Sequence, residues 1–368
     1  MLCAAFVLET RLHRNLFYAV ALPVFLLQLT AVDWRRLTDS AIAKLALGYL
    51  AYFLLSGLWS DGFSWAAFAD LLRVSLLLLL FVLITLQLGT RSSGFPDRLF
   101  VWFAASAGAS LVAVFTAAAL GLLPFGLRFT GFGLAAHPIV GATLYGVALL
   151  VAACELLPRA AGWRARLAWL AVVALCAAFM LLSGSRGPLL ALAAALAVGL
   201  AVADRRAALG VLLLVAAAIA AGVLFDLRPI EILYERGQSG HFEIWQQALS
   251  AIAERPWLGY GSLTDIDFVG KHGPGRSPHN LLLANQLYGG LPASLLLAAL
   301  LLLATRQAWL AQRGGQPVYL VLLVFGLAAS LFDTRSLVQN LGREWITLWL
   351  PIGLLAAQDA LRRGRSPS

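Results

Sequence analysis

Eight basic side chains gather in the one long polar interruption of an otherwise apolar sequence: Arg228, Arg236, His241, Arg255, Lys271, His272, Arg276 and His279, between Phe225 and Leu283. Guanidinium, ammonium and imidazole groups in one stretch suit two tasks, holding an anion and moving a proton. His279 stands in SPHNLLL, where the loop re-enters an apolar run, and is expected in the first turn of the next helix. Free imidazole titrates near pH ~6.5, and the positive end of a helix favours its neutral, proton-accepting form, which makes His279 a general-base candidate. The position equally suits an interfacial histidine that only helps Asn280 cap the helix.

Arg186 lies in LLSGSRGPLL, a tight turn between two apolar runs, with Pro188 suited to a first helical turn. Free N–H groups at a helix start bind anions, and an arginine beside them adds a planar fork matched to phosphate oxygens. The competing reading is a turn arginine that snorkels toward lipid headgroups. Arg236 and His241 precede an amphipathic stretch and Lys271 and Arg276 precede His279, so the loop can close a cationic wall over whatever Arg186 holds. Arg128 and the His137-Pro138 pair flank another helix start and can line a substrate entry. Arg335, Arg343 and Glu344 either reach the site or pair among themselves and with Asp333. Asp265-Ile266-Asp267 has the D-x-D form of a metal-binding pair, but its neighbourhood is basic and no metal site is assigned. Asp70 and Arg73, three apart, read as an ion pair on one helix face.

The elements that must position these groups are membrane spans. The chain of 368 residues is 61% hydrophobic and 12% charged, with a mean hydropathy of +0.84, far too apolar for a soluble fold. The formal charge of +9 is scattered among connectors rather than collected on one domain, so nucleic acid is not an expected partner. Cys3, Cys154 and Cys176 each sit in apolar surroundings and form neither a disulfide framework nor a metal knuckle. No cleavable signal peptide is evident, and Met1 to Leu8 are expected to be the tail of a truncated first span.

Runs of about 20 apolar residues recur, giving spans at 15–32, 42–59, 66–87, 99–123, 137–157, 166–183, 187–203, 207–225, 279–304, 318–333 and 344–361. This is an all-α polytopic integral membrane protein of about 11–12 transmembrane helices, one transmembrane domain over 1–368 with a loop at 226–278 as its lid. Connectors at 33–44, 89–98, 158–166, 204–206 and 306–313 and the tail with Arg362, Arg363 and Arg365 are basic, which assigns them and the C-terminus to the cytoplasm. By parity the connectors with Arg128 and His137, with Arg186, the long loop, and Thr334 to Arg343 lie on the other face. Basic loops on that face call for a local reason, and an anionic ligand held there would be one. Within the loop, Phe242, Trp245, Leu249 and Ile252 recur at helical spacing until Pro256, which predicts a short amphipathic helix at the membrane surface.

SGSRGPLLAL at the start of a span, SGHFEIWQQALSAIAERPWLGYG in the loop, and HNLLLANQLYGGLPASLLL after it resemble, in order and spacing, the O-antigen ligase and O-antigen polymerase superfamily. The similarity covers Ala168 to Leu303. It implies a GT-C-like membrane glycosyltransferase of the bacterial inner membrane, with its active site and large loop facing the periplasm. The implied donor is a glycan on undecaprenyl pyrophosphate and the implied acceptor, for a ligase, the lipid A core oligosaccharide; no metal or other cofactor is implied. Arg186 corresponds to the arginine after the family's serine-rich turn, and His279 to the histidine of its His-Asn pair. The family usually has an arginine four residues before the tryptophan of the amphipathic helix; here that place is His241, with Arg236 five residues earlier.

A ligase is favoured by the single dominant outer loop. An O-antigen polymerase or a protein O-oligosaccharyltransferase would use the same chemistry. A transporter or flippase of an anionic lipid-linked substrate is the non-enzyme alternative; internal repeats and interrupted helices with buried charges near mid-membrane are its usual marks, but no such repeat is visible in the sequence and the charges cluster at one interface instead.

Overall fold

The computed structural model describes residues 2–27, 38–123, 128–202, 241–270, 273–275 and 277–364, with 209, 213, 216 and 217. The expected span at 207–225, and Arg236, Lys271, His272 and Arg276, lie outside the continuous described segments.

The fold is an all-α bundle. Its helices are α1 (Thr10–Leu16), α2 (Ala41–Ser56), α3 (Trp65–Arg91), α4 (Phe95–Ala119), α5 (Pro138–Val151), α6 (Trp163–Leu182), α7 (Arg186–Val202), α8 (His241–Glu254), α9 (Leu281–Arg313), α10 (Val318–Asp333) and α11 (Leu350–Arg363). π-Helical turns follow α1 (Phe17–Ala21) and α5 (Ala152–Leu156) and precede α11 (Trp345–Trp349). Among the described residues six helices are long and apolar enough to cross a membrane, while the N-terminal part of α7 and α10 are shorter apolar helices. The small departure from all-α structure is a hairpin, β1 (Phe268–Gly270) against β2 (Gly273–Gly275), antiparallel with Val269 opposite Pro274.

Pro138–Leu156 is the most enclosed crossing, with 83% of its most apolar window buried. Its small residues explain why: apolar lipid gives little drive for helix association, so close packing must supply it. A β-carbon on Gly146 would stand 2.4 Å from Phe325 of α10. Leu2–Phe6 form a short 3-10 turn whose Phe6 stacks on Tyr145 with ring centroids 5.0 Å apart.

Polar contacts sort the connectors into two sets, as the charge pattern requires. At one end Arg159 pairs with Asp97 at 3.1 Å, Asp359 accepts from Ala41 N at 2.8 Å and from Ser40 Oγ, and Gln358 meets Gln316. At the other, the α2–α3 connector meets the long loop: the Trp59 indole donates to Leu258 O at 3.1 Å, and Asp61 N donates to Thr264 Oγ1. Asp70 and Arg73 pair at 2.6 Å as expected, and Arg73 reaches on to Asn340 at 2.9 Å.

The structure corrects two expectations about α9. It continues to Arg313, so Arg306 to Arg313, expected as a connector, are helical. It is also broken at Gly290, whose φ of 64° leaves the helical region, with Pro292 just beyond. Pro292 has no N–H to offer Tyr288 O, and Leu291 N turns away to the Pro256 and Trp257 carbonyls at 3.1 Å. The freed Leu287 and Tyr288 carbonyls are taken by Tyr260 N and Gly261 N, each at 2.9 Å. The loop segment PWLGYG is thus threaded into the break, and its backbone pairs with the Leu287, Tyr288 and Leu291 groups that the break frees. A β-carbon on Gly290 would sit 2.2 Å from Trp257 O, so no other residue fits.

Candidate active site

The loop helix α8 runs from His241 to Glu254 and stops before Pro256 as expected. Its protein-facing side carries Ala248 with Ile244, Trp245 and Ile252, whereas Phe242 and Leu249 are exposed. The predicted stripe is therefore split between protein and surroundings, the geometry of a helix lying in an interface. The Trp245 indole donates to Pro278 O at 2.9 Å, and the Gln247 side chain both donates to and accepts from the Val269 backbone, at 2.7 and 3.0 Å. These bonds fix the loop immediately before His279.

His279 does not lie in the first turn of α9. Asn280 is the N-cap, its Oδ1 accepting from Leu282 N at 3.0 Å and Leu283 N at 3.2 Å, so His279 is outside the helix. Its φ of 50° makes it the one non-glycine residue with positive φ among those described. Such a conformation costs on the order of 1–3 kcal/mol and persists only where surroundings impose it. Here Ser277 Oγ accepts from His279 N at 3.1 Å, and the ring is turned toward α10. Its Nδ1 lies 3.1 Å from Asp333 Oδ1.

Asp333 ends α10 and is gripped from its other side. Arg343 Nη1 stands 2.6 Å from Asp333 Oδ2, and Arg343 Nε 2.9 Å from Glu344 Oε1. The Arg343 and Glu344 side chains are 11% and 6% exposed, so this network works away from bulk water. The connector from Thr334 to Arg343 is pinned beneath by two indoles: Trp345 Nε1 donates to Gln339 O at 3.0 Å and Trp349 Nε1 to Leu337 O at 2.9 Å. A carboxylate held between a guanidinium and an imidazole only accepts. In the neutral ring Nδ1 of His279 then carries the proton, and Nε2 is the proton-accepting nitrogen.

Arg186 is the first residue of α7, after a turn in which Gly184 has a φ of 59°. Arg128 braces that turn, donating from Nε to Ser183 O at 2.9 Å and from Nη2 to Ser185 Oγ at 2.8 Å. α7 then packs along α10, and a β-carbon on Gly187 would meet Phe332 Cβ at 3.0 Å. The Arg186 turn therefore abuts the residue before Asp333, and the two halves of the site share one end of the bundle. His137, at the start of α5, feels both halves. Loss of water, then Arg128 and Arg343, hold its imidazole below its ordinary pKa against the opposing pull of Asp333.

Of the sequence-selected residues, His279, Arg186 and Arg128 converge. Asn280 spends its carbonyl oxygen on the cap. His241 opens α8, with its side chain outside the described set along with Arg236, Lys271 and Arg276. Asp265 of the D-x-D pair faces Arg335 at 2.8 Å. Among the described residues no group of three or more His, Cys, Asp or Glu side chains forms a metal-sized cluster. Sequence reasoning gave Asp333 only the part of an ion-pair partner; its contact with His279 had no local signal beyond an acidic residue ending an apolar run.

A multispanning helical bundle with a paired histidine and aspartate at the same end as an arginine-bearing helix start defines the class, an all-α polytopic membrane protein. Residues 170–298 match the family model described as O-antigen ligase. The chain is also 31% identical to an O-antigen ligase of Pseudomonas aeruginosa over 358 residues, covering 94% of this chain and 84% of that protein. It belongs to the O-antigen ligase family and is a bacterial membrane protein.

Proposed function

We propose that this protein joins an O-antigen glycan, delivered on undecaprenyl pyrophosphate, to the lipid A core oligosaccharide at the periplasmic face of the inner membrane. The observation that carries the reading is the Asp333–His279 pair lying at the same end of the bundle as the Arg186 turn: a base and an anion cradle side by side. The acceptor hydroxyl gives its proton to His279 Nε2 as its oxygen bonds the anomeric carbon. The bond from that carbon to the pyrophosphate oxygen breaks, and the leaving group departs with the electron pair. Arg186, at the start of α7, takes up the negative charge that grows on the pyrophosphate. Arg128 holds the turn in shape.

The donor is already activated, so positioning, one proton transfer and charge stabilisation suffice. Purified protein is expected to form product from polyprenyl-pyrophosphate glycan and lipid A core in the presence of EDTA. Activity that disappears with EDTA and returns with magnesium would move the chemistry to Asp265 and Asp267. In a deletion strain complemented with His279→Ala, core lipid is expected to stay uncapped while polymerised, unligated glycan accumulates. Short, unpolymerised glycan instead would mark a polymerase. Reporter fusions after Arg186 and Arg362 are expected on opposite sides, with Arg186 periplasmic.

A further inference from the structure

A cavity of about 350 Å³ opens between the Thr334–Arg343 connector, α3 and the break in α9. It falls at the small end of ligand pockets, which run from ~300 to ~1,000 Å³. Its polar wall holds Asp70, Ser262, Tyr288, Arg335, Gln339 and Asn340, and its apolar floor includes Leu71 and Val338.

We propose that this cavity is a glycan subsite that seats a neutral sugar ring next to the catalytic histidine. Charge argues for a polyol rather than a phosphate. Arg335 already faces Asp265 at 2.8 Å, and Asp70 faces Arg73 at 2.6 Å. The wall therefore offers hydrogen bonds in both directions without the net positive charge of the Arg186 side. Amides, carboxylates and a guanidinium match vicinal hydroxyls, and an apolar floor matches the C–H face of a ring.

Position also fits. Arg335 lies two residues beyond Asp333, at most ~7 Å of extended chain, so one short connector presents both the base's partner and the sugar wall. The sugar belongs either to the acceptor core or to the first units of the donor glycan.

The inference rests on the transferase reading but is tested apart from it. The probes are lipid-free core oligosaccharide and, separately, lipid-free O-antigen polysaccharide, each added to the detergent-solubilised full chain and followed by saturation-transfer NMR. Wild type and His279→Ala are expected to bind one of the two. Gln339→Ala, which removes polar groups, and Ala67→Trp, which fills the space, are expected to weaken that binding about fivefold to tenfold, the worth of one or two hydrogen bonds. In turnover both variants should raise KM for the substrate carrying that glycan and leave the other KM alone. Wild type that binds neither glycan, or variants that bind as wild type does, would overturn the subsite. Glycan binding that depends on Gln339 in a protein that transfers nothing would keep the subsite and end the transferase reading.

Discussion

Nδ1 of His279 and Oδ1 of Asp333 meet at 3.1 Å although 54 residues separate them in the chain. The pairing orients the imidazole and leaves Nε2 as the acceptor, the arrangement of a base steered by a third group. General-base help is typically worth ~10²–10⁴-fold, so His279→Ala should lose about that much in kcat while remaining folded. Asp333→Asn should lose a large part of the same factor, and the double variant little more than the worse single one, because groups acting as a unit are not additive. Steady-state turnover of the four proteins measures this. Losses that multiply would show that the two residues work independently.

Arg186 follows directly on the turn and Arg128 braces it from the connector between α4 and α5, so their expected failures differ. Arg186→Lys keeps the charge but loses the fork, so donor KM and kcat should both suffer even though the protein binds detergent and unfolds normally. Arg128 makes two hydrogen bonds to the turn, at 2.9 and 2.8 Å. Arg128→Ala should therefore lower thermal stability as well as activity, and pyrophosphate added alone should protect wild type from heat more than either variant. Equal protection of all three would remove the anion cradle from this turn.

Much of this arrangement is legible in the sequence, and the reason is locality. Spans and the α8 helix with its stop at Pro256 follow from residues within one or two turns of each other. The break in α9 does not. Gly290 and Pro292 sit inside an apolar run, and only the backbone of residues 256–261, threaded in from the loop, makes the break stable. The same holds for His279, whose left-handed φ is imposed by its neighbours, and for Asp333, whose partner lies across a crossing. Arg306 to Arg313 were misjudged because basic residues at a helix C-terminus look like a connector, although they suit that end electrostatically.

Arg343 is the keystone of the acidic network, bonded to Asp333 at 2.6 Å and Glu344 at 2.9 Å. Replacing it with alanine leaves two shielded carboxylates facing each other. Removing one partner of a buried pair costs about 3–5 kcal/mol, so Arg343→Ala should unfold at a clearly lower temperature and lose activity with it. Arg343→Lys should recover only part of the loss, since one ammonium cannot serve both carboxylates in the forked geometry. A variant with wild-type thermal stability would show that the network is solvated rather than structural.

His137 gives the site a pH dependence with a definite sign. Desolvation, with Arg128 and Arg343 nearby, keeps its folded pKa below the ordinary ~6.5, the value it regains on unfolding. The unfolded chain therefore binds more protons than the folded one in the window below ~6.5. Its contribution to stability is whole above that value and is lost as pH falls toward the lower folded pKa. The place of His137 before Pro138 at the start of α5 acts in the same direction, because a helix N-terminus disfavours a cation. Thermal unfolding of the solubilised protein should move to lower temperature between about pH 7 and about pH 5. His137→Gln, which cannot take a proton, should flatten that slope. A slope unchanged in His137→Gln would take the titration away from this residue.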